Sequence, residues 1–157
     1  MHDHFMREAL KQAELALEKG EVPVGAVVVS ENRIIGRAHN QTETLRDPTA
    51  HAEMIAMTQA SEALSQGKKD HRGSLEGASL YVTLEPCPMC AGALVLTKCK
   101  NLIFGVPDLK AGACVSLYRI PQDDRLNHRV NVVSGVMEED AKRYLQVFFK
   151  GLRKERR

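Results

Sequence analysis

The sequence predicts an α/β fold in which a mixed β-sheet is flanked by helices. Two β-branched runs, Val24–Ser30 and Arg33–His39, are separated only by Glu31-Asn32, a pair typical of a hairpin turn. Candidate helices and strands then alternate along the chain, which favours parallel pairing beside the antiparallel hairpin. A chain of 157 residues, 43% of them hydrophobic, has the size of one domain, so we expect a single domain over 1–157.

The individual elements follow from apolar spacing and helix-stop signals. Apolar residues recur at helical spacing from Asp3 to Lys19, and Gly20 ends this first helix. The polar stretch Gln66–Gly77 is predicted to be a surface loop, because too little chain lies on either side of it for two cores. Further strands are predicted at Ser79–Leu84, Asn101–Val106 and Val130–Ser134, and further helices at about Thr49–Leu64, Pro88–Lys98 and from Met137 to the C-terminus.

Composition and charge exclude several classes of protein. No apolar run approaches the roughly 18 residues of a membrane span, and the N-terminus has no basic start followed by an apolar stretch. We therefore expect a soluble, cytoplasmic protein whose four cysteines serve metal binding or catalysis before disulfides. The net charge of +2 is uneven, because residues 142–157 carry +6 and the remainder carries −4, so basic charge is concentrated in the last predicted helix.

The segment Pro86-Cys87-Pro88-Met89-Cys90 predicts two thiolates at the start of a helix. Proline is favoured in the first helical turn because its missing N–H is not needed there. Cys87 and Cys90 then lie on one face, where the positive end of the helix lowers the thiol pKa and suits both groups to zinc. A Cys-x-x-Cys pair by itself is also typical of a redox pair, or arises by chance.

A second segment, His51-Ala52-Glu53, strengthens the metal interpretation. Side chains two residues apart on a helix point about 200° apart. His51 and Glu53 therefore reach one site only if both project from the helix N-terminus. Asp47-Pro48-Thr49 supplies such a start, with Asp47 or Thr49 as the N-cap.

Together the two segments predict a catalytic metal site built from two helix ends. We expect His51, Cys87 and Cys90 to bind one ion, because three protein ligands leave the fourth zinc position to water. Glu53 beside that water is then the catalytic residue that carries protons between water and substrate.

These motifs resemble the H-x-E…P-C-x-x-C signature of the zinc-dependent nucleobase and nucleoside deaminases. Within that superfamily the chain is most similar to the bacterial tRNA-specific adenosine deaminases. The resemblance implies a three-layer, cytidine-deaminase-like sandwich with a mixed five-stranded sheet, and a homodimer with one zinc ion per subunit. The similar stretches span nearly the whole chain and are Glu21–Ala26, Asp47–Glu53, Tyr81–Cys87, Cys90–Ala93, Asn127–Val130 and Phe148-Phe149.

The resemblance also implies a reaction and a partner. Zinc-bound hydroxide attacks C6 of adenine while Glu53 shuttles protons, which converts the wobble adenosine of a tRNA anticodon stem-loop to inosine. Asn40 is implied to hydrogen-bond the inserted base, and Asp108 to lie near the sugar-phosphate of the target nucleotide. The remaining implied RNA contacts are His128, Arg129, Phe148 and Phe149.

Each implied RNA contact has a structural alternative. Asn40 and His128-Arg129 are typical of turns, and Asp108 is equally typical of a strand end. Of the two adjacent phenylalanines, which point in different directions on a helix, we expect at least one in the core. Cys99 and Cys114 match no ligand position and are expected to be buried free thiols.

Two competing functions remain open at the level of the sequence. The first is a deaminase of a free nucleobase or nucleoside, guanine or cytosine, which the metal motif does not exclude. The second is a structural zinc module that serves as a binding protein. The module predicts four protein ligands and a dispensable Glu53, whereas either deaminase predicts three ligands and an essential Glu53.

Overall fold

The computed structural model describes residues 1–155, and every element predicted from the sequence is present in that range. The helices are α1 (His2–Glu18), α2 (Ala52–Ser65), α3 (Pro88–Leu96) and α4 (Glu138–Glu155). The strands are β1 (Gly25–Ser30), β2 (Arg33–His39), β3 (Ser79–Leu84), β4 (Asn101–Val106) and β5 (Asn131–Val133), and a 3-10 helix covers Ile120–Gln122.

The strands form one mixed sheet in the order β2-β1-β3-β4-β5. β1 pairs antiparallel with β2 and with β3, whereas β3–β4 and β4–β5 are parallel. The predicted mixed five-stranded sheet is therefore confirmed. Because β3 and β4 are parallel, the chain leaves both strands at the same edge, after Leu84 and Val106, where α/β proteins build their sites.

The turn between β1 and β2 is the predicted hairpin. Glu31 and Asn32 have φ values of 48° and 64°, and a type I′ turn requires positive φ at both of its central residues. Ser30 pairs with Arg33 across this turn, which fixes the register of the hairpin.

Helices cover both faces of the sheet and complete the predicted three layers. Along β1, Val27 and Val29 belong to a core cluster with residues of α1 and α4, whereas Ala26 and Val28 belong to a second cluster with residues of α2 and α3. This alternation is the period of two that a strand buried on both faces shows. The core is mainly aliphatic, as a chain without tryptophan requires.

The start of α2 differs from the sequence prediction, and the assignment of Asp47 or Thr49 as its N-cap is wrong. The N-cap is His51, which has extended backbone angles, and the helix begins at Ala52. Asp47 Oδ1 instead accepts hydrogen bonds from the N–H and the Oγ1 of Thr49, each at 2.8 Å. This local turn satisfies Asp47 ahead of the helix and leaves His51 at the helix end.

The two adjacent phenylalanines of α4 also differ from expectation, because neither is buried. Phe148 is partly buried, Phe149 is 48% exposed, and the two rings form an edge-on pair with centroids 5.3 Å apart. Ala141, near the start of α4, packs in the core, so the helix contacts the body mainly through its first half. Arg156 and Arg157 of the predicted basic helix lie outside the described residues.

The loop over Gln66–Gly77 is confirmed as largely exposed, although Leu75 reaches into the core. Among residues 1–155, no helix has the length and apolar character that a bilayer crossing requires.

Close packing of α1 on β1 generates a first prediction. A Cβ at Gly25 would overlap the backbone of Ala9 and Ala13, so neither the strand nor the helix has room for it. Gly25→Ala is expected to lower the free energy of unfolding by about 1–3 kcal/mol, the usual cost of overpacking. Urea unfolding followed by circular dichroism measures this change.

Gly151→Ala is the matched control. Gly151 lies within α4, and no atom comes within 4 Å of the place that a Cβ would take, so alanine there adds helix propensity without a clash. It is expected to raise the free energy of unfolding by up to about 1 kcal/mol. Equal stability of the Gly25 variant and the unchanged protein would contradict the close packing of α1 on β1.

Candidate metal centre and substrate pocket

Two helix N-termini meet at one point beside the sheet. His51 is the N-cap of α2, and Cys87 is the N-cap of α3. Pro88 occupies the first turn of α3, as the sequence predicts, and Cys90 lies within that turn. The structure therefore brings together the three predicted metal ligands, and their donor atoms all lie within 4.8 Å of one another.

The donor atoms fit a tetrahedral metal ion. The Nδ1 atom of His51 lies 3.5 Å from Sγ of Cys87 and 3.6 Å from Sγ of Cys90. Zinc bonds of about 2.3 Å to sulfur and 2.0–2.1 Å to nitrogen, at tetrahedral angles, require a nitrogen–sulfur separation of roughly 3.5–3.6 Å. Two sulfurs and one imidazole nitrogen are also a donor set that zinc prefers. The group can hold a metal ion without rearrangement.

The two thiols have opposite protonation preferences. A hydrogen bond from Cys90 and a second from His51 outweigh the effect of burial and lower the pKa of Cys87 to about 4. The same bond to Cys87, together with burial, raises the pKa of Cys90. Cys87 is thus a thiolate that already bears the charge a metal ligand needs, whereas Cys90 must lose its proton when a metal binds.

Glu53 lies in the first turn of α2, close to the metal-ligand group. Its side chain is 4% exposed, and burial raises its pKa above the usual value for a glutamate. His51 acts in the opposite direction but does not cancel the effect of burial. A raised pKa makes the carboxylate a stronger base and keeps the proton on the carboxyl group up to a higher pH, and general acid–base catalysis uses both properties.

A cavity of about 250 Å³ opens beside these groups. His51, Cys87 and Glu53 line one part of it. The rest is lined by Asn40, Thr42, Glu85, Asp108 and a few apolar side chains. Pockets that enclose drug-sized ligands measure about 300–1,000 Å³, so this cavity has the size for a single base. The structure therefore places Asn40 and Asp108, two of the predicted substrate contacts, in the same pocket as Glu53.

The other predicted RNA contacts do not line this cavity. His128 is partly buried, and its Nε2 donates a hydrogen bond to the carbonyl oxygen of Cys99 at 2.7 Å. Arg129 is exposed and lines a separate surface depression, and Phe148 and Phe149 lie on α4. His128 thus has a structural contact of its own, whereas Arg129 is free to reach an external partner.

Cys99 and Cys114 are buried free thiols, as expected. Burial raises the pKa of Cys99 to about 12 and also raises the pKa of Cys114. Neither thiol is part of the metal-ligand group found in residues 1–155.

Two buried carboxylates that sequence reasoning did not single out hold the loops around the pocket. Glu21 accepts hydrogen bonds from the N–H of Glu43 and from the N–H and Oγ1 of Thr44, at 2.6–3.0 Å. Glu85 accepts five hydrogen bonds from the loop after β4. Burial opposes ionisation of both groups, but the hydrogen bonds prevail and lower both pKa values. In the sequence, each of these residues is only a glutamate next to an apolar run, and that pattern is too common to indicate a buried carboxylate that holds a loop.

Similarity to known deaminases extends over nearly the whole chain. Residues 1–153 match the family model described as MafB19-like deaminase. A tRNA-specific adenosine deaminase of Bacillus subtilis is 49% identical over 98% of this chain and 91% of its own length. A structure from a study of A-to-I editing by tRNA:A34 deaminases at the wobble position of transfer RNA matches with a TM-score of 0.82 and 43% identity, covering 90% of this chain and 99% of that one.

A guanine deaminase of Bacillus subtilis matches less completely, with a TM-score of 0.61 and 33% identity over 68% of this chain and 65% of that one. Because the family model spans residues 1–153, the chain belongs to the MafB19-like deaminase family. Its relative of 49% identity is a tRNA-specific adenosine deaminase.

The unequal thiols generate a second prediction. In metal-free protein, the half-buried Cys87 thiolate is expected to react with iodoacetamide well before the buried, protonated Cys99 and Cys114. Zinc is expected to suppress the reaction at Cys87. Peptide mass spectrometry after timed alkylation measures each site, and the two buried thiols serve as internal controls. Equal rates at all sites, or no protection by zinc, would contradict the assigned ligand group.

Proposed function

We propose that this protein catalyses hydrolytic deamination of adenosine to inosine at the wobble position of a tRNA anticodon loop. The observation that carries the proposal is the single cavity that contains His51, Cys87, Glu53 and Asn40. The 49% identity to a tRNA-specific adenosine deaminase over nearly the whole chain supports the substrate.

We propose that the metal is zinc, one ion per subunit, held by His51, Cys87 and Cys90. The nitrogen–sulfur distances of 3.5 and 3.6 Å support zinc at these residues. When bound, zinc lowers the pKa of a coordinated water, so that a nucleophile is available near neutral pH. Only three protein donors converge here among the described residues, which leaves a position for water and distinguishes the group from a closed structural site.

Glu53 is proposed to be the catalytic residue that moves protons. Its carboxylate accepts a proton from water and delivers it to N1 of adenine as the water oxygen bonds to C6. It then takes the proton of the new C6 hydroxyl and gives it to the exocyclic amine, so that the C6–N bond breaks. Water adds at C6, ammonia leaves, and adenosine becomes inosine. Burial of Glu53 supports this role, because the raised pKa keeps the carboxyl ready to carry a proton in either direction.

Asn40 and Asp108 are proposed to hold the target nucleotide. The side chain of Asn40 is 7% exposed and lines the cavity, where an amide can both donate to and accept from a base edge. Asp108 lies at the rim and is partly buried, a position suited to the sugar of an inserted nucleotide. A base that enters this cavity must leave its stack, which single-stranded loops permit most easily.

The outer surface is proposed to contact the rest of the anticodon loop. Arg129 and the exposed Phe149 supply a cation and a stacking surface, and His128 and Phe148 lie beside them in sequence. Salt bridges among residues 1–155 do not include Lys150 or Arg153, so both cations are available to phosphates.

A direct assay tests the proposal against deamination of a free base. The likeness to a guanine deaminase is the observation in favour of a second candidate function, deamination of a free base or nucleoside. Guanine, cytosine and free adenosine are therefore assayed beside an anticodon stem-loop. Inosine in the stem-loop with little ammonia from the free compounds is the expected result. Ammonia from guanine with no inosine in the stem-loop would overturn the proposed substrate.

Glu53→Ala supplies the third prediction and separates catalysis from metal binding. The variant is expected to retain zinc but to lose about 10²- to 10⁴-fold in turnover, the range that general acid–base catalysis contributes. His51→Ala is the matched control, because it removes a donor and should lower zinc content as well as turnover. Zinc is measured by atomic emission on the same samples. Retained turnover in the Glu53 variant would overturn the assignment of Glu53 as the catalytic residue.

Removal of residues 150–157 supplies the fourth prediction. This deletion takes away five basic residues and one acidic residue. Stem-loop binding is expected to weaken and to become less dependent on salt, with the log–log slope falling by about 0.7 for each phosphate that the shortened protein no longer neutralises. Lys11→Gln, at an exposed residue of α1 paired with Glu8, is the control and should leave the slope unchanged. An unchanged slope after the deletion would exclude residues 150–157 from contact with RNA phosphates.

We further propose that residues 1–157 form one domain, that the protein is a homodimer, and that it acts in the cytoplasm. The shared sheet with a core on both faces supports one domain. Leu45 and Leu96, 55% and 85% exposed, are available for contact with a second subunit. The free cysteines are consistent with a reducing compartment. A monomer in sedimentation velocity at micromolar concentration would exclude the homodimer.

A further inference from the structure

The loop after β4 is wrapped around one buried carboxylate. We infer that Glu85 is a positioning residue that holds this loop, residues 107–117, so that Asp108 and Ala111 form one wall of the substrate pocket; the inference rests on the deaminase function proposed above. We name residues 107–117 the wall loop. Glu85 lies directly after β3, between the sheet and the metal ligand Cys87.

Five hydrogen bonds join Glu85 to the wall loop. Its Oε1 accepts the backbone N–H of Asp108 at 3.0 Å and the hydroxyl of Ser116 at 2.5 Å. Its Oε2 accepts the N–H groups of Cys114, Val115 and Ser116 at 3.1, 2.9 and 2.9 Å. The bonded residues lie at the beginning and near the end of the loop, so one side chain fixes both ends.

The negative charge of Glu85 is essential to this arrangement. The side chain is 2% exposed, and the salt bridges among residues 1–155 do not include it. Its charge is stabilised by the hydrogen bonds from the loop, four from N–H groups and one from the Ser116 hydroxyl. A carboxylate accepts at both oxygens, whereas the glutamine isostere has one acceptor oxygen and one donor NH₂ group. Glutamine at this position would therefore place its NH₂ group against donor groups of the wall loop, and part of the loop would lose its hydrogen bonds.

Gly112 provides a second, steric sign of the same contact. A Cβ at Gly112 would overlap the carboxyl group of Glu85 and the carbonyl oxygen of Asp108. The N–H of Gly112 also donates to that carbonyl oxygen at 2.8 Å, which tightens the turn over the carboxylate. The loop is thus built to fit around Glu85.

The tip of the wall loop is held to Asp108, whose own N–H donates to Glu85. Asp108 Oδ1 accepts the N–H groups of Lys110 and Ala111 at 3.0 and 3.1 Å. Leu109 is 79% exposed and Lys110 is also exposed, whereas Asp108 and Ala111 beside them line the cavity. Loss of the hydrogen bonds to Glu85 is therefore expected to mobilise the wall of the pocket while leaving the sheet intact.

Steady-state kinetics distinguish this role from general damage. A mobile wall lowers the fraction of molecules that are ready to bind RNA, which raises KM, whereas bound RNA restores the loop and kcat. Loss of metal or misfolding lowers the active fraction instead, which lowers kcat and leaves KM unchanged. Glu85→Gln is expected to raise KM for the stem-loop about tenfold, as when roughly a tenth of the molecules hold the wall in place.

Two milder variants disturb the same contact from the loop side. Ser116→Ala removes one donor, and Gly112→Ala places a methyl group against the carboxylate. Both are expected to raise KM in the same direction, with kcat within about twofold of the unchanged protein and normal zinc content. These variants decide the question if Glu85→Gln does not fold. A fall in kcat that follows zinc content, with KM unchanged, would overturn the inference.

A fluorescence reporter tests the inference without RNA. The chain contains no tryptophan, so Leu109→Trp places a single reporter on the wall loop. Adding Glu85→Gln is expected to increase nanosecond local motion of the introduced tryptophan, seen as faster anisotropy decay. Glu21→Gln is the matched control, because Glu21 is an equally buried carboxylate that holds a different loop, and it should leave the decay unchanged.

The two readouts separate failure of the inference from failure of the proposed function. An unchanged protein that forms no inosine would refute the function, and the anisotropy decay would still decide the role of Glu85. Equal decays with and without Glu85→Gln, in a protein that edits the stem-loop normally, would refute the inference alone.

Discussion

The convergence of two helix N-termini is the constraint on which the rest of the site depends. α2 and α3 both begin at the same edge of the sheet, and their N-cap residues, His51 and Cys87, supply two of the three donors. The positive ends of both helices favour thiolates and carboxylates at this point. Close packing of α2 on β2, where Gly36 lies against Ala56, fixes the position of α2. The metal site is therefore a consequence of how the layers pack.

Three buried glutamates near the pocket differ in pKa because their surroundings differ. Burial controls Glu53, so its pKa is raised and it is suited to carry a proton. Hydrogen bonds control Glu21 and Glu85, so their pKa values are lowered and each remains an anchor for a loop. The same side chain is thus suited to the proposed proton transfer or to holding a loop, depending on the number of donors that surround it. Glu53 therefore lies between two loops, one held by Glu21 and the other held by Glu85.

The sequence predicted the fold class, and it predicted that His51, Glu53, Cys87 and Cys90 would come together, because both depend on local periodicity or short spacing. The sequence prediction misplaced the N-cap of α2, because the Asp47 carboxylate accepts its hydrogen bonds from Thr49 in a local turn and not from the start of the helix. It missed Glu85, whose partners lie 23 to 31 residues further along the chain and are brought near only by the parallel pairing of β3 and β4. Short-range sequence patterns do not indicate contacts between residues this far apart in the chain.

X-ray absorption at the zinc edge tests the central claim most directly, because it counts the atoms around the ion. With zinc bound, we expect two sulfurs at about 2.3 Å, one imidazole nitrogen at about 2.0–2.1 Å and one exchangeable oxygen. Addition of a nucleoside analogue that fills the cavity should perturb the oxygen and leave the sulfurs in place. A third sulfur, or a second imidazole in place of the oxygen, would indicate a closed structural site and would contradict a catalytic metal centre.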